Sequence, residues 1–369
     1  MSSSSTHNID FTQLPDLRSI YPTGGQNGAL SSQHIATYQP RSAAGLPVGL
    51  RDMHGVDVVV TLLRHLSSML APWTRAPWRR DGEEFTNEDR FPILRLAWSD
   101  LSRTLESMAA QDEARRAIVT HLGIMDRPVT FLDIMDCPLM YEALMQTKAY
   151  QLYSSLIVSQ PLEESLNGKW DIDGTGASRL DLARRCVVHW DCQDDLDTHV
   201  SKKFGFFEHR GNGRRYLYQF NQPGILQVRF RSLVASRAER QQLHGFRKIW
   251  KITVDGSTIC QVDENGHYCT EANPRYDYVL VAVVRLRDGA IPNDVIRRYS
   301  ANGDHVHEPS DFLHAGTHRW SVADENTSFV LFYARCIQSP PPLHYPAEVT
   351  NSRLDAEMSY AKQRRFGAP

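Results

Sequence analysis

The chain has 369 residues, 41% of them hydrophobic, with 41 Lys and Arg against 43 Asp and Glu for a formal net charge of −2. That balance gives no global electrostatic case for nucleic acid or an anionic membrane. No apolar run is long enough to span a bilayer, which argues against a membrane protein.

Residues 1–44 are rich in Ser, Gln, Asn and Gly and cluster few apolar positions. Such a segment cannot bury enough surface to offset its ordering entropy, so a flexible tail is expected. It also lacks the hydrophobic stretch of a signal peptide. Six cysteines, Cys137, Cys186, Cys192, Cys260, Cys269 and Cys336, are scattered without the spacing of a secreted disulfide framework. Reduced thiols and a cytoplasmic or nuclear location are the expectation. After Gly49-Leu50, the apolar positions Val59, Leu62, Leu63, Leu66 and Leu70 predict an amphipathic helix with one buried stripe and Asp57 near its first turn. Helical spacing returns at Leu94–Met108, and Pro138–Met145 reads as another short helix.

Asp171–Ser178 is a turn-rich connector, beyond which the apolar period changes from helical to alternating. Strands are predicted at Cys186–Trp190, Arg215–Phe220, Ile225–Phe230, Trp250–Val254, Tyr278–Arg285, Val295–Tyr299 and Phe329–Ala334. Within Arg210–Arg215, the Gly211-Asn212-Gly213 run between strand-like segments predicts a solvated hairpin turn. The run Pro340-Pro341-Pro342 ends the sheet, and a polar tail follows. Helices first and a long antiparallel sheet afterwards is α+β order, without βαβ alternation.

Several blocks carry a more specific signal. Gly49-Leu50-Arg51-Asp52-Met53-His54-Gly55-Val56-Asp57, continuing to Leu63 and Leu66, is similar to Gly-Leu-x-Asn-Leu-Gly-Asn-Thr-Cys-Tyr-Met-Asn-Ser-x-Leu-Gln-x-Leu, which opens the catalytic domain of ubiquitin-specific cysteine proteases. Met135–Met145 resembles that family's Gln-Gln-Asp-Ala-x-Glu-Phe-Leu helix, with Asp136 on the aspartate and without the two glutamines and the glutamate. Gln222–Arg231 resembles the palm strand Leu-Pro-Pro-Val-Leu-x-Leu-His-Leu-Lys-Arg, and its alternation of Leu226, Val228 and Phe230 independently predicts a half-buried strand. Tyr278–Val284 resembles Tyr-x-Leu-x-Ala-Val-Val. Trp320 followed by Phe329–Arg335 resembles the closing Trp…Tyr-x-Leu-Phe-Tyr-x-Arg. The blocks stand in family order. The resemblance implies the papain-like superfamily's thumb–palm–fingers architecture: a thumb over about 45–150, fingers and palm over about 151–337, and a Pro-rich tail over 338–369.

The same register implies that catalysis is lost. Asp57 stands at the nucleophile's place, and a carboxylate has neither the polarisability nor the tunable pKa of a thiolate. Asp52 replaces the oxyanion-stabilising asparagine and would repel developing negative charge. The general-base histidine, expected after the Tyr278 strand, is absent; Asp294 lies nearest its place, and Asp324 is the remnant of the third member. Asp52, Asp57, Asp294 and Asp324 are therefore degenerate positions. Gly266-His267-Tyr268 mimics the family's Gly-His-Tyr but precedes the Tyr278 strand, so an ordinary loop histidine is the stronger reading. His305, His307, His314 and His318 read as an exposed polar loop.

The family's zinc-binding Cys-x-x-Cys pairs are missing. Their nearest substitute is Cys186, His189, Cys192 and His199, but on a strand Cys186 and His189 point to opposite faces. No metal or cofactor is expected. The resemblance thus implies a pseudo-deubiquitinase that binds ubiquitin, a ubiquitin-like protein or another protein partner. The alternatives are a scaffold subunit of a larger assembly, RNA-processing among them, that ignores ubiquitin, and residual cysteine-type activity under a different register.

Overall fold

The computed structural model describes residues 53–70, 92–98, 105–124, 127–154, 156–166, 168–172, 185–233, 237–256, 258–262, 264, 268–272, 275–289, 291–301, 303 and 320–336. The expected tails, Asp52, His267, the histidines of 305–318 and the proline run lie outside them. The chain divides into two units, Met1–Ala143 and Leu144–Pro369.

In the first unit, α1 (His54–Met69) carries four valines in its first seven residues. β-Branched side chains lose χ1 freedom in a helix, so intrinsic propensity does not hold this one together. Burial does. Val56, Val59, Val60, Leu62 and Leu66 are wholly buried, and each such side chain contributes about 1.5–3 kcal/mol. Gly55 through Leu66 are buried with only Asp57 half-exposed, which corrects the expected single stripe: α1 is covered on nearly every side. Pro92–Trp98 forms α2 and Leu105–Leu122 forms α3. The helical spacing of 94–108 therefore resolves into parts of both, with 99–104 outside the described residues.

The helix α4 (Phe131–Met135) begins with a capping box, in which Thr130 Oγ1 accepts from Asp133 N at 3.1 Å while Asp133 accepts from Thr130 N at 2.8 Å. The single helix expected over 138–145 is instead a short α5 (Pro138–Met140) followed by a π-helical turn, Tyr141–Met145. Asp136 precedes both, at the end of α4.

The second unit contains α6 (Leu196–Ser201), α7 (Arg237–His244) and α8 (Phe246–Ile249) beside its strands. Its strands are β1 (Val158–Pro161), β2 (Asp171–Ile172), β3 (Val187–Trp190), β4 (Gly205–His209), β5 (Arg214–Tyr218), β6 (Ile225–Arg231), β7 (Lys251–Asp255), β8 (Thr258–Val262), β9 (Tyr268–Ala272), β10 (Arg275–Arg285), β11 (Val295–Arg298) and β12 (Ser328–Arg335). All seven predicted strands are present. The connector expected at 171–178 begins as β2, and its remainder lies outside the described residues.

The larger sheet runs β11-β10-β12-β6-β3, with β7 pairing the first half of β10. It is not wholly antiparallel as expected, because β3 joins β6 in parallel. The strand β6 is also more than half-buried: Ile225, Leu226, Gln227, Val228 and Phe230 are all buried. A strand flanked on both edges and covered on both faces reads as a near-continuous apolar run, and β10 and β12 follow the same rule. A register shift between Leu280 and Ala282 leaves Val281 as a bulge, and its carbonyl accepts from Tyr299 N at 2.7 Å.

The smaller sheet runs β2-β1-β5-β4. One face is closed by Val158, Trp170 and Leu217, with Leu156 and Phe206 packed against them. The β4–β5 hairpin turns through Arg210–Gly213 as predicted, and Gly213 has φ +64°, a conformation that favours glycine. A separate two-stranded ribbon joins β8 and β9, and Tyr268 of the Gly-His-Tyr run stands at the start of β9.

Candidate functional site

Three of the four positions that the resemblance marks as degenerate, Asp57, Asp294 and Asp324, fall among the described residues, and each is engaged. At the start of α1, Asp57 forms an ion pair with Arg115 of α3. Arg115 is fully buried, whereas the Asp57 side chain keeps 14% of its exposure. The carboxylate in the first turn also complements the positive end of the helix dipole. Sequence reasoning did not reach Arg115. Its signal was nonetheless present, since Gln111, Arg115 and Ile118 recur at helical spacing on the buried side of α3.

The N-terminal turn of α1 is pressed against the entry to α4. Gly55 N donates to Val129 O at 3.2 Å, and a Cβ at Gly55 would lie 2.3 Å from the Thr130 carbonyl carbon and 2.5 Å from Phe131 N. Only glycine permits that approach. Asp133 fixes the other side of the contact. Burial alone would raise its carboxyl, but the paired Arg127 bonds at 2.7 Å and those from Thr130 hold it below the usual carboxylate range.

In the second unit, Asp294 and Asp324 are drawn to one end of the large sheet, around the residues leaving β10. Asp294, 5% exposed, accepts from Arg287 N at 2.9 Å. The Asp324 carboxylate accepts from Arg285 Nη1 at 3.2 Å and from Ser321 N at 3.1 Å, while Asp288 takes Arg285 Nη2 at 3.2 Å. These carboxylates bind backbone N–H groups and a guanidinium, so they set loop geometry. Nearby, the Arg297 guanidinium sits 4.0 Å over the Trp320 ring and donates to its carbonyl at 2.8 Å.

A buried histidine that the sequence did not single out lies beneath the same sheet. His244 has no exposed surface; its Nδ1 lies 3.0 Å from Val322 O and its Nε2 3.2 Å from Ser232 Oγ, against the rings of Trp190 and Phe230. Enclosure denies this Ser–His pair a substrate. Burial also lowers the His244 pKa, and nearby Arg240 adds to the effect against the Val322 hydrogen bond. Among thiols, burial pushes Cys192 up to about 12 and Cys336 up to about 11, and it raises Cys137. These three are protonated, weakly nucleophilic groups at neutral pH.

The alternative metal set does not converge. Cys186 is buried and His189 exposed, on opposite sides of the chain entering β3, and His199 Nε2 is 2.8 Å from the His189 carbonyl oxygen. Among the described residues no group of three His, Cys, Asp or Glu is arranged to hold a metal ion.

No protein-family model and no curated protein matches the chain. Solved structures that resemble it include the Saccharomyces cerevisiae apo Pan2 pseudoubiquitin hydrolase–RNA exonuclease module in complex with AAUUAA RNA, at 8% identity over 85% of this chain and 58% of that one, TM-score 0.36. The chain thus spans little more than half the length of that structure. The S. cerevisiae Pan2 pseudoubiquitin-hydrolase follows at 8% identity, 76% and 82% coverage and TM-score 0.29. The SAGA Ubp8/Sgf11/Sus1/Sgf73 DUB module matches at 9% identity, 79% and 67% coverage and TM-score 0.28.

Proposed function

We propose that this chain is a ubiquitin-specific-protease-like pseudoenzyme, a protein-binding module of thumb–palm–fingers type that holds ubiquitin or a ubiquitin-like protein without cleaving it. The observation that carries the reading is the ion pair between Asp57 and the buried Arg115. The carboxylate at the nucleophile's place is committed to packing, so it is unavailable as an attacking group even before its poor nucleophilicity is counted. A second support is positional. The three most strand-like family blocks fall on β6, β10 and β12, which are hydrogen-bonded neighbours in the larger sheet. No described helix is long and apolar enough to cross a membrane.

Two measurements test the reading. Ubiquitin carrying a C-terminal propargyl group should leave no covalent adduct, and a labelled band would overturn the pseudoenzyme assignment. Titration with free ubiquitin should give saturable binding. Failure to bind ubiquitin, with no adduct, transfers the assignment to the competing scaffold. That role has a counterpart in cysteine-less family members that are subunits of RNA-processing assemblies.

A further inference from the structure

The two faces of the smaller sheet are unlike. One is sealed by Val158, Trp170 and Leu217. On the other, alternate residues of β4 and β5 present half-exposed Phe207, Tyr216 and Tyr218 and exposed His209. Phe207 stands directly opposite Tyr216, and His209 opposite Arg214. His209 meets Tyr216 edge-on with centroids 5.0 Å apart, and Phe207 meets Tyr218 in the same way at 5.2 Å. In an edge-on pair, the ring that offers its edge keeps its own faces free of its partner. Tyr218 is also met by Tyr153 at 6.1 Å, so Phe207, Tyr216 and His209 are the rings left for a ligand. The residues opposite Tyr216 and Tyr218 on their flanking strands include the small Ser159 and Gly205, which add little side chain to cover them.

Positive charge gathers at the same place, although the chain as a whole is slightly acidic. Residues 202–215 contain Lys202, Lys203, Arg210, Arg214 and Arg215 against a single acidic residue, Glu208. Glu208 alternates with Phe207 onto the sealed side and pairs with Arg215 at 3.2 Å. On the ring side, Arg214 donates from Nε and Nη2 to Ser159 Oγ at 3.0 and 2.8 Å, with Asp171 as its ionic partner at 3.5 Å. Its guanidinium is thus held in place while the side chain keeps 35% of its exposure. Beyond it the hairpin tip is uncovered. A Cβ at Gly211 or Gly213 would meet nothing within 4 Å, and Arg210 and Asn212 are exposed.

We propose that this face of β4 and β5 binds single-stranded RNA. Rings with fixed cations beside them complement a chain of flat bases joined by phosphates: aromatic residues on an open sheet stack successive bases, and the basic groups meet the backbone. Bases within a duplex are already stacked on one another, so the strand that offers its base faces to these rings is a single one. The sugar is matched as well. Asn212 Nδ2 donates to Tyr216 Oη at 2.8 Å, which leaves the phenolic proton as a donor to a 2′-hydroxyl, the group that DNA lacks. This site does not rest on the chain's proposed hold on ubiquitin.

The test is fluorescence anisotropy of a short labelled RNA of mixed sequence titrated with the full chain. Saturable binding that weakens with added salt is expected. The double variant Phe207→Ala, Tyr216→Ala should weaken it by roughly tenfold or more while the unfolding midpoint stays in place. Should that pair fail to fold, His209→Ala with Arg210→Gln changes exposed residues alone and should flatten the salt dependence by about one phosphate contact. Tyr216→Phe keeps the ring and should bring RNA affinity down to that for DNA of the same sequence. Absence of saturable RNA binding overturns the proposal, as does RNA affinity unmoved by these substitutions, or wild-type affinity for the DNA equal to that for the RNA. Ubiquitin titrated against the same variants tells the two failures apart. Loss of ubiquitin binding in the ring variants, with no RNA bound, gives the face to the protein partner and overturns the RNA site. RNA binding without ubiquitin binding supports the RNA site and overturns only the proposed hold on ubiquitin.

Discussion

The two places where the family resemblance puts catalytic groups are built in opposite ways. At the start of α1, Asp57 pairs with a guanidinium that has no exposed surface, and Gly55 is pressed onto the backbone of α4's entry. At the end of β10, the Asp324 side chain is 37% exposed, and Arg285 shares itself between Asp324 and Asp288. The first place has a buried charge set against a carboxylate that is itself largely enclosed; the second has redundancy and solvent exposure. The carboxylate that the resemblance sets at the nucleophile's position is thus part of the core, whereas Asp324, which it sets at the third member's position, remains a matter of loop geometry.

The sharpest way to break this comparison is Asp57→Asn. It keeps the shape but leaves Arg115 without the carboxylate, and breaking a buried ion pair by removing one partner typically costs about 3–5 kcal/mol. Chemical denaturation reads the loss directly. The double variant Asp57→Asn, Arg115→Met should recover much of it, because the coupling between paired residues is non-additive. Asp57→Cys should destabilise similarly and still fail to label with the ubiquitin probe. An Asp57→Asn chain as stable as wild type would place this carboxylate in the same class as Asp324.

How much of this was legible follows from what each feature depends on. The strands of the larger sheet were readable because Leu226, Val228 and Phe230, like Tyr278–Val284, combine β-branched or aromatic residues with a local apolar period. Their depth was not. Whether Gln227 is buried depends on what covers the other face, a tertiary fact. Thus β6 was expected to be half-buried and is enclosed. The missed β4, Gly205–His209, reads Gly-Phe-Phe-Glu-His without alternation, and β2 spans two residues, so neither offers a period to detect. Asp57 was found through its place in a pattern. Its partner Arg115 is 58 positions away in sequence, and no local rule connects them.

A smaller effect separates the buried from the solvated in the second unit. His244 is enclosed by Trp190, Phe230, Ser232 and the Val322 carbonyl, with Arg240 the nearby charge, itself 3.7 Å from Glu325. Burial, foremost, depresses its pKa below 6.5 in the folded state. The unfolded chain therefore takes up a proton first as pH falls, so the stabilising contribution is complete above pH 6.5 and is lost on acidification towards the folded-state value. Stability followed between pH 7 and pH 5 should decline in wild type and decline less in His244→Gln. Equal slopes would mean that the ring is already open to water.

The smallest effect is expected from Asp324→Ala. Half-exposed ion pairs contribute about 0–1 kcal/mol, and Asp288 remains to hold Arg285. What Asp324 supplies alone is acceptance of the Ser321 N–H at 3.1 Å, next to Trp320, whose ring lies under Arg297. The variant should keep its unfolding midpoint nearly unchanged while amide exchange at Ser321 and Ala323 accelerates. A loss as large as that of Asp57→Asn would show that the end of β10 is as deeply committed to the core as the start of α1, and the contrast between the two places would disappear.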